Sequence, residues 1–270
     1  MSEEISKPLS FNDALKILDN ASTEGFTTNI WIPSLKRNVL FKEINAKQQK
    51  KLLQCALDSS IAKSTFPKTF YQIVKENCLE ENISSTFTII DKINIALVLR
   101  NQISKELKIE LQENPKVEKT IELQSVINRF KEYKHPEAQE IDINKNAINL
   151  KLTVEIPYLE LDTAFEEYTK SQPKADDIDV IKQTITEAFL VETGKYIKSL
   201  IIDNQDFGFS TMTVAQRLAL IEKLPAAVLQ SVIQVAAQWK NEVNDILTVK
   251  SEDNSLSRII DIDSMLFLSI

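Results

Sequence analysis

Few side chains in this sequence have the types and spacing that catalysis or metal binding requires. The only histidine, His135, precedes Pro136 in a polar connection, and a Ser-His-Asp arrangement would have to use this residue. We interpret His135 as a solvated loop residue. The two cysteines, Cys55 and Cys78, form no Cys-x-x-Cys pair, which with a single histidine excludes zinc sites built from several His and Cys ligands. Their helical surroundings indicate free thiols in a reducing, intracellular compartment.

Glycine is also scarce, which excludes the common phosphate-binding loops. The chain has three glycines, and they lie far apart, at Gly25, Gly194 and Gly208. A Walker loop and a dinucleotide-binding fingerprint each need several closely spaced glycines. The sequence therefore predicts neither kind of nucleotide site.

Acidic residues offer the remaining chemistry. A cluster of aspartates follows a linker at 171–175: Asp176, Asp177 and Asp179. They are predicted to begin a long helix that runs to about Ile201. In its first turn their carboxylates would meet the positive end of the helix dipole. Calcium binding is the alternative, but the segment lacks the glycine and the distal glutamate of an EF-hand. A second alternative is an enzyme that uses paired carboxylates with magnesium, although 39 acidic residues supply such pairs by chance. We predict no enzyme, no catalytic residue, no metal and no cofactor.

Binding is better indicated than catalysis, because the stretch 30–60 is strongly basic in a chain of net charge −7. Between positions 33 and 51 the only anion is Glu43. The candidate partner-binding cations are Lys36, Arg37, Lys42, Lys47, Lys50 and Lys51. Such a run forms either a solvated face or a binding face. The acidic balance of the whole chain argues against general nucleic-acid binding.

Two short strands and a helix are predicted to carry these cations. Apolar residues alternate with polar ones on both sides of a turn at Pro33 and Ser34, at Ile30, Ile32, Val39 and Phe41. Asn45 then occupies the position of a helix N-cap, and Gln48 is the reciprocal partner of a capping box. Leu52, Leu53 and Ala56 give this helix an apolar stripe.

Two blocks of this sequence resemble the baseplate hub and hub-assembly proteins of T4-like bacteriophages. The first contains the turn WIPSL, the strand VLFKEI and the helix start NAKQQK. The second, at 207–234, reads FGFSTMTVAQRLALIEKLPAAVLQSVIQ and is followed by a tail ending IDIDSMLFLSI. The resemblance implies a structural or assembly role in a contractile tail, through contacts with other tail proteins and without catalysis. It implies a location in the virion baseplate or in the host cytoplasm during assembly. A permanent subunit and a transient factor would look alike.

A nucleic-acid-binding module that uses the basic patch at 36–51 is the alternative function. Trp31 and Phe41 lie near the cations, and aromatic rings beside a basic groove can stack on bases. Both residues occupy strand positions that ordinarily build a core, which argues against this reading.

The remaining patterns predict an α+β fold that is mainly helical, with a central antiparallel β-rich layer. Region 1–101 is helical around the basic unit, with helices at 11–18, 70–79 and 87–99 and a buried, hydrogen-bonding Asn94. Region 102–157 alternates as strands, broken by a helix at 126–133 and a turn at 144–146. Region 158–270 is helical, with a capping box at Thr213 and Gln216. No apolar run spans a bilayer, and the first residues lack signal-peptide order.

The C-terminal segment 259–270 is too apolar to remain in water. Ile260 and Ile262 alternate with Asp261 and Asp263, which predicts an extended strand with one wet edge. The segment either docks on its own domain, which we favour, or anchors in a neighbouring subunit. In the second case the anchoring residues would be Met265, Phe267, Leu268 and Ile270.

Overall fold

The computed structural model describes residues 10–13, 16–17, 26–57, 62–113, 115–145, 148–171, 189–262 and 264–267. The helices are α1 Ala46–Leu57, α2 Ala62–Asn77, α3 Ile89–Ile103, α4 Leu123–Glu132, α5 Leu159–Ser171, α6 Val214–Ile221 and α7 Ala226–Leu247. The strands are β1 Thr27–Ile32, β2 Arg37–Lys42, β3 Glu106–Gln112, β4 Val117–Glu122, β5 Gln139–Lys145, β6 Ile148–Val154, β7 Ile197–Ile202, β8 Gln205–Asp206, β9 Thr248–Lys250 and β10 Ser257–Ile259. Helices predominate and the sheets are antiparallel, which confirms the predicted α+β class.

The basic unit folds as the alternation of its residues predicts. Strands β1 and β2 form an antiparallel hairpin in which Ile30 faces Val39, and its four inward apolar side chains are fully buried. The turn closes through a hydrogen bond from the Leu35 backbone N–H to the Ile32 carbonyl (3.1 Å), with Lys36 at a φ of 52°. Helix α1 follows directly and packs against α2.

The β-rich part of the chain differs in extent from the prediction. Strands β3 and β4 form a separate two-stranded sheet, whereas β5 and β6 continue into β7 and β8 as one four-stranded sheet. Strand β7 occupies Ile197–Ile202, and therefore the predicted end of the long helix near Ile201 is wrong. Helical residues end at Gly194, beyond which a β-branched, alternating run favours a strand.

Other sequence expectations lie partly outside the described residues. The acidic cluster at 176–179 and positions 146–147 of the predicted hairpin turn fall there. At the N-terminus, residues 11–13 and 16–17 are helical, but Phe11 is 77% exposed and Ile17 is 51% exposed. These two apolar side chains are therefore not buried against the described core.

Helix α3 lies at the centre of the molecule and contacts β1, α4 and α5. It begins at Ile89, within the predicted helix 87–99, and continues to Ile103. One hydrophobic cluster contains buried residues from all three sequence regions, among them Ile30, Leu152 and Phe267. Among the described helices no single one is long and apolar enough to cross a membrane, although α6 and α7, joined at a 120° bend, reach that length and composition together.

Candidate partner interface

The carboxylate of Asp91 fixes the turn of the basic hairpin on helix α3. Asp91 is fully buried in the first turn of α3, where it completes a capping box with Thr88. The Thr88 backbone N–H and hydroxyl donate to Oδ2 at 2.7 and 2.8 Å. The Ser34 N–H donates to Oδ1 at 3.0 Å, and its hydroxyl donates to Oδ2 at 2.7 Å. One carboxylate thus joins two segments that lie far apart in sequence.

A second hydrogen bond joins the hairpin to α3. The Asn94 side-chain amide donates to the Trp31 carbonyl at 2.7 Å, which confirms Asn94 as a buried hydrogen-bonding group.

The two aromatic residues near the cations differ in their exposure to solvent. Phe41 is fully buried, and its ring stacks on that of Phe87 at a centroid distance of 5.9 Å, whereas Trp31 is half-buried. Phe41 therefore has no surface on which a base could stack.

The outer face of the hairpin combines an apolar centre with cations at its ends. We define this outer hairpin face as the side chains that point away from the buried set: Asn29, Trp31, Asn38 and Leu40. Leu40 is 36% exposed. Lys36 lies in the turn and Lys42 at the far end of β2. Because a strand rises about 3.3 Å per residue, these two lysines are roughly 20 Å apart.

Helix α1 carries the other lysines on one side. The predicted capping box is present, since Asn45 Oδ1 accepts from the Gln48 N–H at 2.9 Å and Gln48 Oε1 accepts from the Asn45 N–H at 3.2 Å. Gln48 and Leu52 are buried against α2. The lysine stripe of α1, by which we mean Lys47, Lys50 and Lys51, is exposed on the opposite side.

Neighbouring carboxylates neutralise part of this positive charge. The Arg37 guanidinium donates two hydrogen bonds to Glu80, at 2.9 and 2.6 Å, and lowers the pKa of that carboxyl. A hydrogen bond from Gln72 lowers the pKa of Glu76, and the charges of Lys51 and Lys47 lower it further. Among the described residues, the salt bridges include Arg37 but none of the five candidate lysines. The lysines are therefore more available to a partner than Arg37.

His135 is not the solvated residue that the sequence predicts. It is half-buried, and burial lowers its pKa. Its Nδ1 lies 3.0 Å from the Pro136 carbonyl, which can only accept, and hence Nδ1 carries the proton. Nε2 lies 3.5 Å from the Thr88 hydroxyl, but that hydroxyl donates to Asp91. The Thr88 hydroxyl therefore does not donate to His135, and Thr88, His135 and Asp91 do not have the arrangement of a catalytic triad.

Residues 264–267 of the C-terminal segment, which the structure describes, dock on their own chain. Phe267 is fully buried, with its ring centroid 6.1 Å from Phe66 and 6.4 Å from Phe70, and Arg100 Nε donates to the Leu266 carbonyl at 2.8 Å. This placement confirms the favoured destination and removes Phe267 from the candidate partner contacts. Met265 lies in the same 3-10 turn, whereas Leu268 and Ile270 lie outside the described residues.

The predicted extended strand at the start of this segment is wrong over the described positions. Strand β10 ends at Ile259, and residues 260–262 form no ladder. Ile260 is nevertheless buried and Asp261 exposed, with a hydrogen bond from the Ile260 N–H to the Leu247 carbonyl at 3.1 Å. The alternation of apolar and acidic residues therefore reflects burial of one side without strand pairing.

Sequence reasoning missed two buried polar groups that organise the molecule. The T-x-x-D spacing of Thr88 and Asp91 is a capping signal that would have located Asp91. Lys195 is 12% exposed and binds Asp162 at 2.9 Å and Glu192 at 2.7 Å, and no local pattern marks it. In the part of the chain that the structure describes, no group of three or more His, Cys, Asp or Glu residues is placed to hold a metal ion.

The comparisons with known proteins gave no relative. The sequence matches no family model and no curated protein, and the fold matches no solved structure.

Proposed function

We propose that this chain is a component or an assembly factor of a contractile-tail baseplate hub, as the resemblance to T4-like hub proteins implies. The observation that carries the proposal is a contact between two of the resembling segments. Helix α1, which begins in the first block, contacts the turn 264–267 of the tail that follows the second block, about 200 residues away in sequence. Contacts between such segments are expected where a family shares a fold.

The surface that such a protein would present to a partner is the outer hairpin face together with the lysine stripe of α1. Trp31 and Leu40 supply an apolar centre, with Lys36 in the turn at one end of the hairpin and Lys42 at the other. Tryptophan-centred patches with a polar rim are typical of interface hot spots. An acidic partner surface complements the lysines, and this complementarity speeds and orients docking more than it raises affinity.

The nucleic-acid alternative has less support. Phe41 belongs to the core, Arg37 is held by Glu80, and the net charge of −7 repels phosphate. A base-stacking groove would need exposed aromatic rings beside free cations. The outer hairpin face offers one half-buried ring, that of Trp31.

The experiment replaces Lys47, Lys50 and Lys51 with Glu in the virus that encodes this chain. We expect the variant protein to fold, because exposed substitutions usually change stability by less than about 0.5 kcal/mol each. Baseplate assembly should stop, because a reversed charge repels the acidic partner. Electron microscopy of lysates checks this, and mass spectrometry of purified particles tells a permanent subunit from a transient factor.

A matched control carries the same change of charge elsewhere. Lys131, Lys134 and Lys223 are also exposed, and their replacement with Glu should leave assembly intact. Normal baseplates from the α1 variant would mean that the stripe is only a solvated face. Loss of DNA binding, with normal tails, would favour the alternative function.

A further inference from the structure

A cavity of about 730 Å³ lies between α3, α7 and the segment 258–262. Its walls are largely aliphatic, and Ile93, Val243 and Ile262 are examples. Trp239 and Tyr196 also line it, with ring centroids 6.4 Å apart. This volume is within the range of about 300–1,000 Å³ that is typical of small-molecule sites.

Two ammonium groups lie close to an aromatic ring in the wall of the cavity. Tyr196 borders the cavity but is 1% exposed, and its hydroxyl is closed off from water. A ligand in the cavity would therefore contact the ring and not the hydroxyl. The Lys195 and Lys240 ammonium groups lie 5.9 and 5.7 Å from the centre of the Tyr196 ring.

The charges around this tyrosine are unequal in number. Asp162 binds Lys195 at 2.9 Å and lies 3.9 Å from Lys92, while Glu192 binds both Lys195 and Lys240. Three ammonium groups thus surround two carboxylates. The adjoining pair of Glu166 and Lys170 adds one charge of each sign, and so does the pair of Arg258 and Asp261 in the cavity wall. One positive charge therefore remains in excess beside the cavity.

We propose that this cavity binds a small amphipathic anion, with an apolar body along the aliphatic walls and a carboxylate-type head beside Lys92 and Lys240, which line the cavity. The excess ammonium charge of Lys92, Lys195 and Lys240 favours an anionic head over a neutral one. The aliphatic walls favour an acyl or ring carbon body. This site is separate from the outer hairpin face and does not depend on the proposed tail function.

The chain offers a built-in reporter for this binding. It contains two tryptophans, and Trp31→Phe leaves Trp239, in the cavity wall, as the only one. We expect dodecanoate, titrated below its micelle concentration, to change Trp239 fluorescence saturably. Dodecanol has the same chain with a neutral head and should bind roughly tenfold more weakly. Calorimetry detects binding that leaves the fluorescence unchanged.

One substitution tests the head-group contact, and a second is its control. Lys240→Glu should weaken dodecanoate roughly tenfold and leave dodecanol unchanged, because only the charged head interacts with the ammonium group. Lys223→Glu, an exposed change outside the cavity, should affect neither ligand.

Two results would overturn the proposal. Absence of saturable binding by either probe, in fluorescence and in calorimetry, would show that the cavity takes no such ligand. Equal affinity for dodecanoate and dodecanol, unchanged by Lys240→Glu, would show an apolar slot without an anion site. Circular dichroism of each variant establishes that the fold is intact before titration.

Discussion

At the scale of single residues, Asp91 determines where the basic hairpin lies. Asp91→Ala removes the common acceptor of four donors from Ser34 and Thr88 and leaves them in a buried site. A buried donor without a partner costs about 1–3 kcal/mol, and we expect the free energy of unfolding to fall by about 3 kcal/mol. Urea denaturation measures the change. Asp245→Ala, on the exposed side of α7, is the matched control, and an equal loss in both variants would contradict this role for Asp91.

His135 gives the protein a pH dependence with a defined sign. Burial lowers its pKa in the folded state, and therefore the unfolded chain takes up the proton first as the pH falls. The free energy of unfolding should decrease from about pH 7 downward through the ordinary histidine pKa near 6.5, until the folded protein is also protonated. His135→Gln removes this contribution. Its unfolding free energy, measured in urea at several pH values, should fall less steeply than that of the wild type.

A direct measurement accompanies this prediction. His135 is the only histidine, and its ring protons give a single titration curve by NMR. A pKa at or above that of a free histidine would contradict the account. The sequence could not predict this burial. His135 and Pro136 read as a polar connection, and the ring is taken out of water by segments that are distant in sequence, such as the turn at Thr88 and the residues Glu155 and Ile156.

At the scale of elements, local patterns predicted the helix starts that carry a capping box, but not the start of α2, which begins at Ala62 and not at 70, nor long-range strand pairing. The capping boxes at Asn45 and Thr213 are present because they depend on residues three positions apart. Strand β7 was assigned to a helix because its role depends on pairing with β6, which places Leu200 opposite Leu152. That partner lies far away in sequence, and periodicity over six residues does not reveal it.

The N-cap residue Thr213 is exposed, and its substitution therefore tests the contribution of the cap to the N-terminus of α6. Thr213→Ala removes the hydroxyl that accepts from the Gln216 N–H at 3.3 Å. We expect a loss of about 1 kcal/mol in unfolding free energy, because the α6 N-terminus loses its capping acceptor. Thr213→Ser retains the hydroxyl and should lose little. Equal losses in the two variants, in thermal or urea unfolding, would mean that the methyl group and not the cap is responsible.

At the scale of the whole molecule, one core connects regions that the sequence presents as successive layers. Strand β7 completes a sheet that begins in the middle region, and Arg100 from the first region holds the Leu266 carbonyl from the last. Composition shifts along the chain cannot show such connections, because the joined residues lie far apart in sequence, 48 positions for Leu152 and Leu200 and 166 positions for Arg100 and Leu266. The same limit of sequence-based prediction applies to the candidate interface. The sequence located its lysines, but the pairing of Arg37 with Glu80 emerged only from the fold.

The docked C-terminal segment provides the last prediction, which concerns the stability of the whole. Phe267→Ala empties a site between Phe66 and Phe70, and large-to-small changes of this kind cost about 3–5 kcal/mol. For a chain of this size the melting temperature should fall by roughly 10 °C. Phe207→Ala makes the same chemical change at a side chain that is 49% exposed, and it should melt close to the wild type.

Deletion of 265–270 extends this test to function. If the segment belongs only to its own core, the deletion should lower the melting temperature at least as far as Phe267→Ala does, because it also removes the Leu266 carbonyl from Arg100. Tail assembly at a temperature where both proteins stay folded should then be equal for the two variants. A truncated protein that melts like the wild type but fails to assemble tails would contradict the cis docking, and would return Leu268 and Ile270 to the role of anchors in a neighbouring subunit.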